Sequence, residues 1–201
     1  MKIKNIVFDV GNVLVRYDPT YIIAKSFPAH PDQASLVQGI FKHQTWLDLN
    51  LGIISEAQAL QEYHERLGLE LEHLQQMAHI TRESLTPIAG SFELLRRLHT
   101  SYQLYALTDN THEIMAHLQE RYDFWPLFRG VVVSARIGHL KPSREIYDHL
   151  LTSYQLNPKE TVFMDDMPNN VHGAKEMGMF AIQFENTEQA IAALKELGIK
   201  I

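Results

Sequence analysis

Asp9 closes a short apolar run and is followed by Val10-Gly11-Asn12; Asp165-Asp166 closes another as an adjacent acidic pair. A carboxylate at the end of an apolar strand is costly without a partner, and two neighbouring carboxylates repel unless positive charge lies between them. A hard divalent cation meets both needs, and magnesium takes one or two carboxylates together with phosphate oxygens. Each group also has a plainer reading. Asp9 could be a turn residue, and the pair could be a solvated loop capping a helix that Pro168 opens. Lys141-Pro142 could bring a cation to a phosphoryl group and to Asp9, or be an ordinary lysine before a helix. Thr108-Asp109-Asn110 offers a hydroxyl and backbone N–H groups for phosphate oxygens, or a common turn. The order is what carries weight. Asp, then Thr, then Lys-Pro, then Asp-Asp, each at a strand end, is a constellation suited to phosphoryl transfer.

The elements that must position these groups are legible as runs. Ile3–Val10, Gln103–Thr108, Gly130–Ala135, Thr161–Asp165 and Phe180–Phe184 are apolar almost without alternation, as expected of strands buried on both faces of a parallel sheet. Amphipathic patterns predict helices over Ser91–His99, His112–Tyr122, Ser143–Tyr154, Asn170–Met177 and Thr187–Leu197. This alternation predicts an α/β fold, a doubly wound Rossmann-like parallel sheet. Between the first strand and Ser91 the pattern is helical throughout: Tyr21–Phe27, Gln33–Lys42, Glu56–Leu67 and Glu72–Ser84. Ser55 with Gln58 forms a capping box and Gly68 fits a helix stop. The expected organisation is a core of residues 1–16 and 87–201 with an inserted all-helical cap at 17–86. Ligands of such sheets bind beyond the carboxyl ends of the strands, where the candidate residues cluster.

Composition narrows the function. The 201 residues are 45% hydrophobic and 21% charged, with a net charge of −6 and no basic block. Nucleic-acid backbones need clustered Lys and Arg, so no nucleic-acid partner is expected. Cysteine is absent, which excludes disulfides, a thiol nucleophile and Cys-ligated zinc. The start MKIKNIVFDV lacks the pattern of a signal peptide. No stretch approaches the roughly 18 apolar residues of a membrane span. The expectation is a cytoplasmic protein without a membrane partner, a monomer or small homo-oligomer.

On these residues the chain resembles the haloacid dehalogenase-like (HAD) hydrolase superfamily. FDVGNVL resembles its first motif, LTDNT its second, GHLKPSREIY its third and VFMDDMPNNVHGAK its fourth. The insertion sits where the helical (C1-type) cap of subfamily IA sits, and WLDLNLGIIS resembles a segment often found there. Within the superfamily it is similar to sugar-phosphate phosphatases resembling α-D-glucose-1-phosphatase and to the N-terminal phosphatase domain of soluble epoxide hydrolase. The resemblance implies a magnesium-dependent phosphatase acting on a small phosphorylated metabolite, a sugar phosphate by preference, through an aspartyl-phosphate. It makes Asp9 the nucleophile and gives Mg2+ to Asp9, the Gly11 carbonyl and Asp166, with Asp165 beside them. Thr108 and Lys141 would serve the phosphate, together with Gly11, Asn12, Asp109 and Asn110. Asn170 would orient the acidic loop.

One position departs from the pattern. Most phosphatases of this family carry a second Asp two residues after the nucleophile, as general acid and base, and here Gly11 stands there. General acid–base help is typically worth about 10²–10⁴-fold. Asp18, Asp109 and His112 are the substitutes to consider, Asp18 reading more simply as a helix cap. Trp46 and Phe41 read as cap packing residues, with a substrate-facing role as the lesser reading of Trp46; Arg16 and Tyr17 lie near the hinge, where either could touch substrate or simply pack. Two other functions compete. A 2-haloacid dehalogenase would use the same Asp without metal, against which the acidic pair argues. A catalytically weak phosphate-binding or partner-binding protein would account for Gly11.

Overall fold

The computed structural model describes residues 2–201. Its frame is a five-stranded sheet of β1 (Asn5–Phe8), β2 (Gln103–Thr108), β3 (Phe128–Val133), β4 (Thr161–Asp165) and β5 (Phe180–Gln183). All pairings are parallel and the order is β3-β2-β1-β4-β5. The first strand is therefore central. Its ladder extends past both ends, with the Lys4 amide donating to Glu160 O and the Asp9 amide to Met164 O, each at 2.9 Å.

The fold is α/β, as the alternation predicts. Side chains leave β1 to opposite faces: Ile6 and Phe8 enter one apolar cluster, Val7 the other. The first cluster is covered by α6 (Ser91–His99), α7 (His112–Arg121) and α11 (Thr187–Glu196). The second is covered by α9 (Arg144–Ser153) and α10 (Pro168–Glu176). Both boundaries of the third strand move. The third strand begins at Phe128 rather than Gly130, and Ser134–Ile137 turn into the short helix α8 instead of prolonging the strand.

Between β1 and α6 lie five helices: α1 (Pro19–Ser26), α2 (Gln33–Phe41), α3 (Gln44–Asn50), α4 (Glu56–Leu67) and α5 (Leu71–Ser84). Local chemistry explains them. Asp18 accepts from the Tyr21 amide with Pro19 opening the helix, and Ser55 with Gln58 closes a full capping box. Gly68 ends α4 at φ +67°, a left-handed turn that glycine adopts without the Cβ penalty. The third helix breaks no pattern strongly enough to be expected; it is one seven-residue segment capped by the His43 ring on the Thr45 amide. These helices bury a cluster of their own around Ile22, Ile40, Tyr63 and Leu74. Full burial of each such apolar side chain contributes about 1.5–3 kcal/mol. Two adjacent strands of chain join this layer to the sheet: the Arg16 amide donates to Thr86 O and the Ile88 amide to Leu14 O.

Candidate functional site

Sheet topology explains why distant residues meet. From β1 the chain builds outward to β2 and β3 on one side, then returns to β4 and β5 on the other. The carboxyl ends of β1, β2 and β4 are thus neighbours, and they carry Asp9, Thr108 and Asp165. Such a reversal of strand order leaves a crevice. A cavity of about 450 Å³ opens there, between these strand ends and the helical layer.

Lys141 is the hub. Its Nζ lies 2.8 Å from Asp9 Oδ1 and 2.7 Å from Asp165 Oδ2, and donates to Leu107 O at 3.3 Å. Its side chain is 1% exposed. Burial alone would strip its proton, but the carboxylates of Asp9, Asp165 and Asp109 outweigh burial and hold the ammonium charged, its pKa above the usual value. For Asp9 burial prevails, and its carboxyl lies well above the usual carboxylate range. Burial drives its carboxyl well up, Lys141 pulls it down, and Asp165 pushes it up again. Asp9 Oδ1 also accepts from the Val10 amide at 2.7 Å, so both bonds fall on one oxygen. The other, Oδ2, stays outside them.

The acidic pair divides its labour. Asp165 is fully buried and its oxygens are engaged by Lys141, the Met167 amide and the Asn170 side-chain amide. Asp166 is half-buried; its carboxylate accepts from Asn12 Nδ2 at 3.3 Å and its backbone carbonyl from Gln183 Nε2 at 3.4 Å. Burial and the neighbouring Asp165 raise its pKa. One carboxylate oxygen each from Asp9, Asp165 and Asp166 lie within 4.8 Å of one another. Asn12 occupies the left-handed region at φ +52°, rare for a residue with a side chain. Its side chain bridges Asp166 and the Tyr17 amide, the latter at 2.9 Å.

The second motif differs from expectation. Thr108 is 1% exposed, its hydroxyl accepts from Asn110 Nδ2, and it is not among the cavity's lining residues. Asp109 and Asn110 line the cavity instead. One backbone amide expected to be free here is taken, since Asn110 N–H donates to Ser134 Oγ; both Asp109 oxygens accept from Lys141 N–H, at 3.1 and 3.2 Å. Burial raises the Asp109 pKa, opposed by Lys141. Of the other substitutes for the missing acid, Asp18 serves as the cap of α1, and neither it nor the exposed His112 reaches the cavity. Gly11 does line it, and a Cβ there would meet only Tyr17 Cβ at 4.0 Å.

Three residues read from sequence as packing or hinge groups also form the cavity wall. Tyr17, Phe41 and Trp46 pack on one another, Tyr17 stacked on Trp46 with centroids 6.3 Å apart and Phe41 edge-on to Trp46 at 5.0 Å. Arg16 is exposed and lies outside the lining. Ser134 escaped the sequence reading altogether. Its fully buried hydroxyl donates to Asn50 O at 2.7 Å and accepts from Asn110 N–H, tying α3 to the loop after β2. Nothing local distinguishes that serine from any other.

Comparison with known proteins adds to this geometry. A family model described as haloacid dehalogenase-like hydrolase matches residues 48–184. The chain is 27% identical to a sesquiterpene phosphatase (astK) of Aspergillus oryzae over 195 residues, covering 96% of each. It is 28% identical to the D-ribitol-5-phosphate phosphatase of Bacteroides thetaiotaomicron over 207 residues, covering 92% of this chain and 93% of that one. A solved HAD family enzyme of the same bacterium, in complex with magnesium and inorganic phosphate, shares the fold with a TM-score of 0.77 at 22% identity, covering 92% and 96% of the two chains.

Proposed function

We propose that this chain, which belongs to the haloacid dehalogenase-like hydrolase family, is a magnesium-dependent phosphomonoesterase whose nucleophile is Asp9. The observation that carries the reading is the buried chain Asp9–Lys141–Asp165, with Asp166 beside it at the cavity floor. The phosphatase names of the two relatives support it.

The donor set fits a hard divalent cation. Asp9, Asp109, Asp165 and Asp166 surround a single ammonium, an excess of negative charge that would repel a phosphate dianion. Asp9, Asp166 and the Gly11 carbonyl would hold Mg2+, as an all-oxygen set suits it. Asp165, its oxygens already engaged, would chiefly anchor Lys141 and the acidic loop. When bound, the ion would supply charge compensation between the carboxylates and the phosphate.

The residues of the chain do the rest. Asp9 Oδ2 attacks phosphorus in line, the bond to the ester oxygen breaks, and that oxygen takes a proton from solvent, Gly11 offering none, to leave as the alcohol. Water then cleaves the aspartyl-phosphate, releasing inorganic phosphate and restoring Asp9. Lys141 favours the ionised form of Asp9 against burial and orients its carboxylate. Asp109 fixes the Lys141 backbone, and Thr108 supports Asn110 rather than touching substrate. Residues 17–86 act as a cap that excludes water from the transfer. The substrate is a small phosphate monoester. The sugar phosphate suggested by resemblance meets a largely apolar wall, which bears on the alcohol half of the ester.

The test is phosphate release from p-nitrophenyl phosphate with magnesium and with EDTA. Chelation should abolish turnover, and Asp9→Asn should lower it by roughly 10³-fold or more. Activity surviving either treatment defeats the assignment.

A further inference from the structure

We propose that the alcohol half of the substrate is a hydrocarbon: the site favours the monophosphate of an aromatic or branched aliphatic alcohol over that of a sugar or polyol. This rests on the phosphatase reading and concerns the part of the cavity that reading leaves unassigned.

The cavity is sharply two-sided. Asp9, Asn12, Asp109, Lys141 and Asp166 form a polar floor at the phosphate end, and Asn110 and Asn169 add side-chain amides to the lining. Above it stand Tyr17, Phe41, Trp46, Leu47, Leu85 and Ile114. The only charged or amide side chains contributed to the wall by residues 17–86 are Lys42 and Asn50. Lys42 is exposed, whereas Asn50 is 5% exposed and its amide already donates to Trp46 O at 2.8 Å. The wall also continues outward as apolar surface. Leu47 on α3 and Met167 beside the acidic loop line the cavity and are 41% and 50% exposed.

A polyol bound here would set most of its hydroxyls against aromatic and aliphatic groups, losing more hydrogen bonds to water than the Tyr17 hydroxyl, Lys42 and Asn169 can replace. A hydrocarbon would bury its surface on the same groups and gain free energy by leaving water. One methylene in an apolar pocket can change kcat/KM about 10-fold or more, so a whole hydrocarbon chain should be discriminated at least that strongly.

The experiment compares geranyl monophosphate with D-ribitol 5-phosphate, using the full chain with magnesium and p-nitrophenyl phosphate as reference. The expected result is a kcat/KM at least about 10-fold higher for the geranyl ester. Trp46→Gln should erase much of that preference. Because Trp46 also packs in the helical layer, Leu47→Ser at the exposed rim provides a second variant; it should lower the ratio of kcat/KM for the geranyl ester to that for the ribitol ester several-fold. Equal or better turnover of ribitol phosphate, or equal loss on both esters in Leu47→Ser, overturns the proposal. If no ester is hydrolysed, p-nitrophenyl phosphate included, the phosphatase reading has failed. Calorimetric titration of the two phosphates then decides the cavity separately: tighter geranyl binding sustains this inference, and equal or weaker binding overturns it.

Discussion

Gly11 lines the cavity two residues beyond Asp9, and nothing in the fold demands a glycine there. A Cβ at this position touches only Tyr17 Cβ, at 4.0 Å. Gly11→Asp should therefore fold normally and place a carboxyl in the cavity beside the nucleophile. We expect turnover of poor leaving groups to rise by roughly 10²-fold, with little change on p-nitrophenyl phosphate, whose alcohol needs no proton. Steady-state kinetics on both esters would check it, and no gain on the poor leaving group would show that the side chain is not needed at that position. Asp109 is the converse case. Its carboxylate grips the Lys141 amide with both oxygens, which is a positioning task. Asp109→Asn should lower kcat about 10-fold on good and poor leaving groups alike. A loss confined to poor leaving groups would instead make Asp109 the proton donor.

At the scale of elements, the cavity wall depends on where α3 sits, and that is set by one tight approach. Gly52, just past the helix, has φ +71°, and a Cβ there would lie 2.2 Å from Ala135 O in α8. The conformation disfavours any side chain, and the contact is with backbone, which cannot swing aside. Nearby, Ser134 Oγ holds Asn50 O. Gly52→Ala should push α3 off α8 and lower the melting temperature by about 4 °C or more, as a loss of 1–2 kcal/mol does in a chain of this length. It should also raise KM, because Trp46 and Leu47 ride on the displaced helix. A thermal melt with substrate titration checks both, and an unchanged melt would mean α3 tolerates the shift.

At the scale of the molecule, the charge cluster makes stability depend on metal and on pH. Binding to the folded state alone stabilises by mass action, about 2.7 kcal/mol at a hundred times Kd. Magnesium should therefore raise the melting temperature of the native protein and leave that of Asp166→Asn nearly unmoved. In EDTA the order should reverse at neutral pH. Burial and Asp165 raise the folded pKa of Asp166 above its ordinary 3.8, so its ionised form costs stability above that folded pKa. Asp166→Asn removes the cost and should melt roughly 2–4 °C higher. As the pH falls through the raised pKa towards 3.8, Asp166 takes up its proton in the folded state and the difference should close. A constant difference across that window would show that the gain is not electrostatic.

Much of this protein follows from order along the chain. Apolar runs ending in Asp9, Thr108 and Asp165 specify strands buried on both faces, because only a doubly covered parallel sheet leaves such runs without alternation. Capping chemistry at Asp18, Ser55 and Gly68 is local, hence legible. The nucleophile candidate and the acidic pair were marked by chemistry that a lone strand end cannot satisfy. What side chains do once strands are side by side was hidden. Asp109 closed on the Lys141 amide, and the buried Ser134 joined α3 to the loop after β2, since those partners lie 24 to 84 positions away. Sequence left Trp46 open between packing and a substrate-facing role: a residue packed in its own layer becomes a cavity wall only when that layer is set against the sheet. Sequence determined which groups could do the chemistry; tertiary packing decided which of them meet, and which surface the alcohol must face.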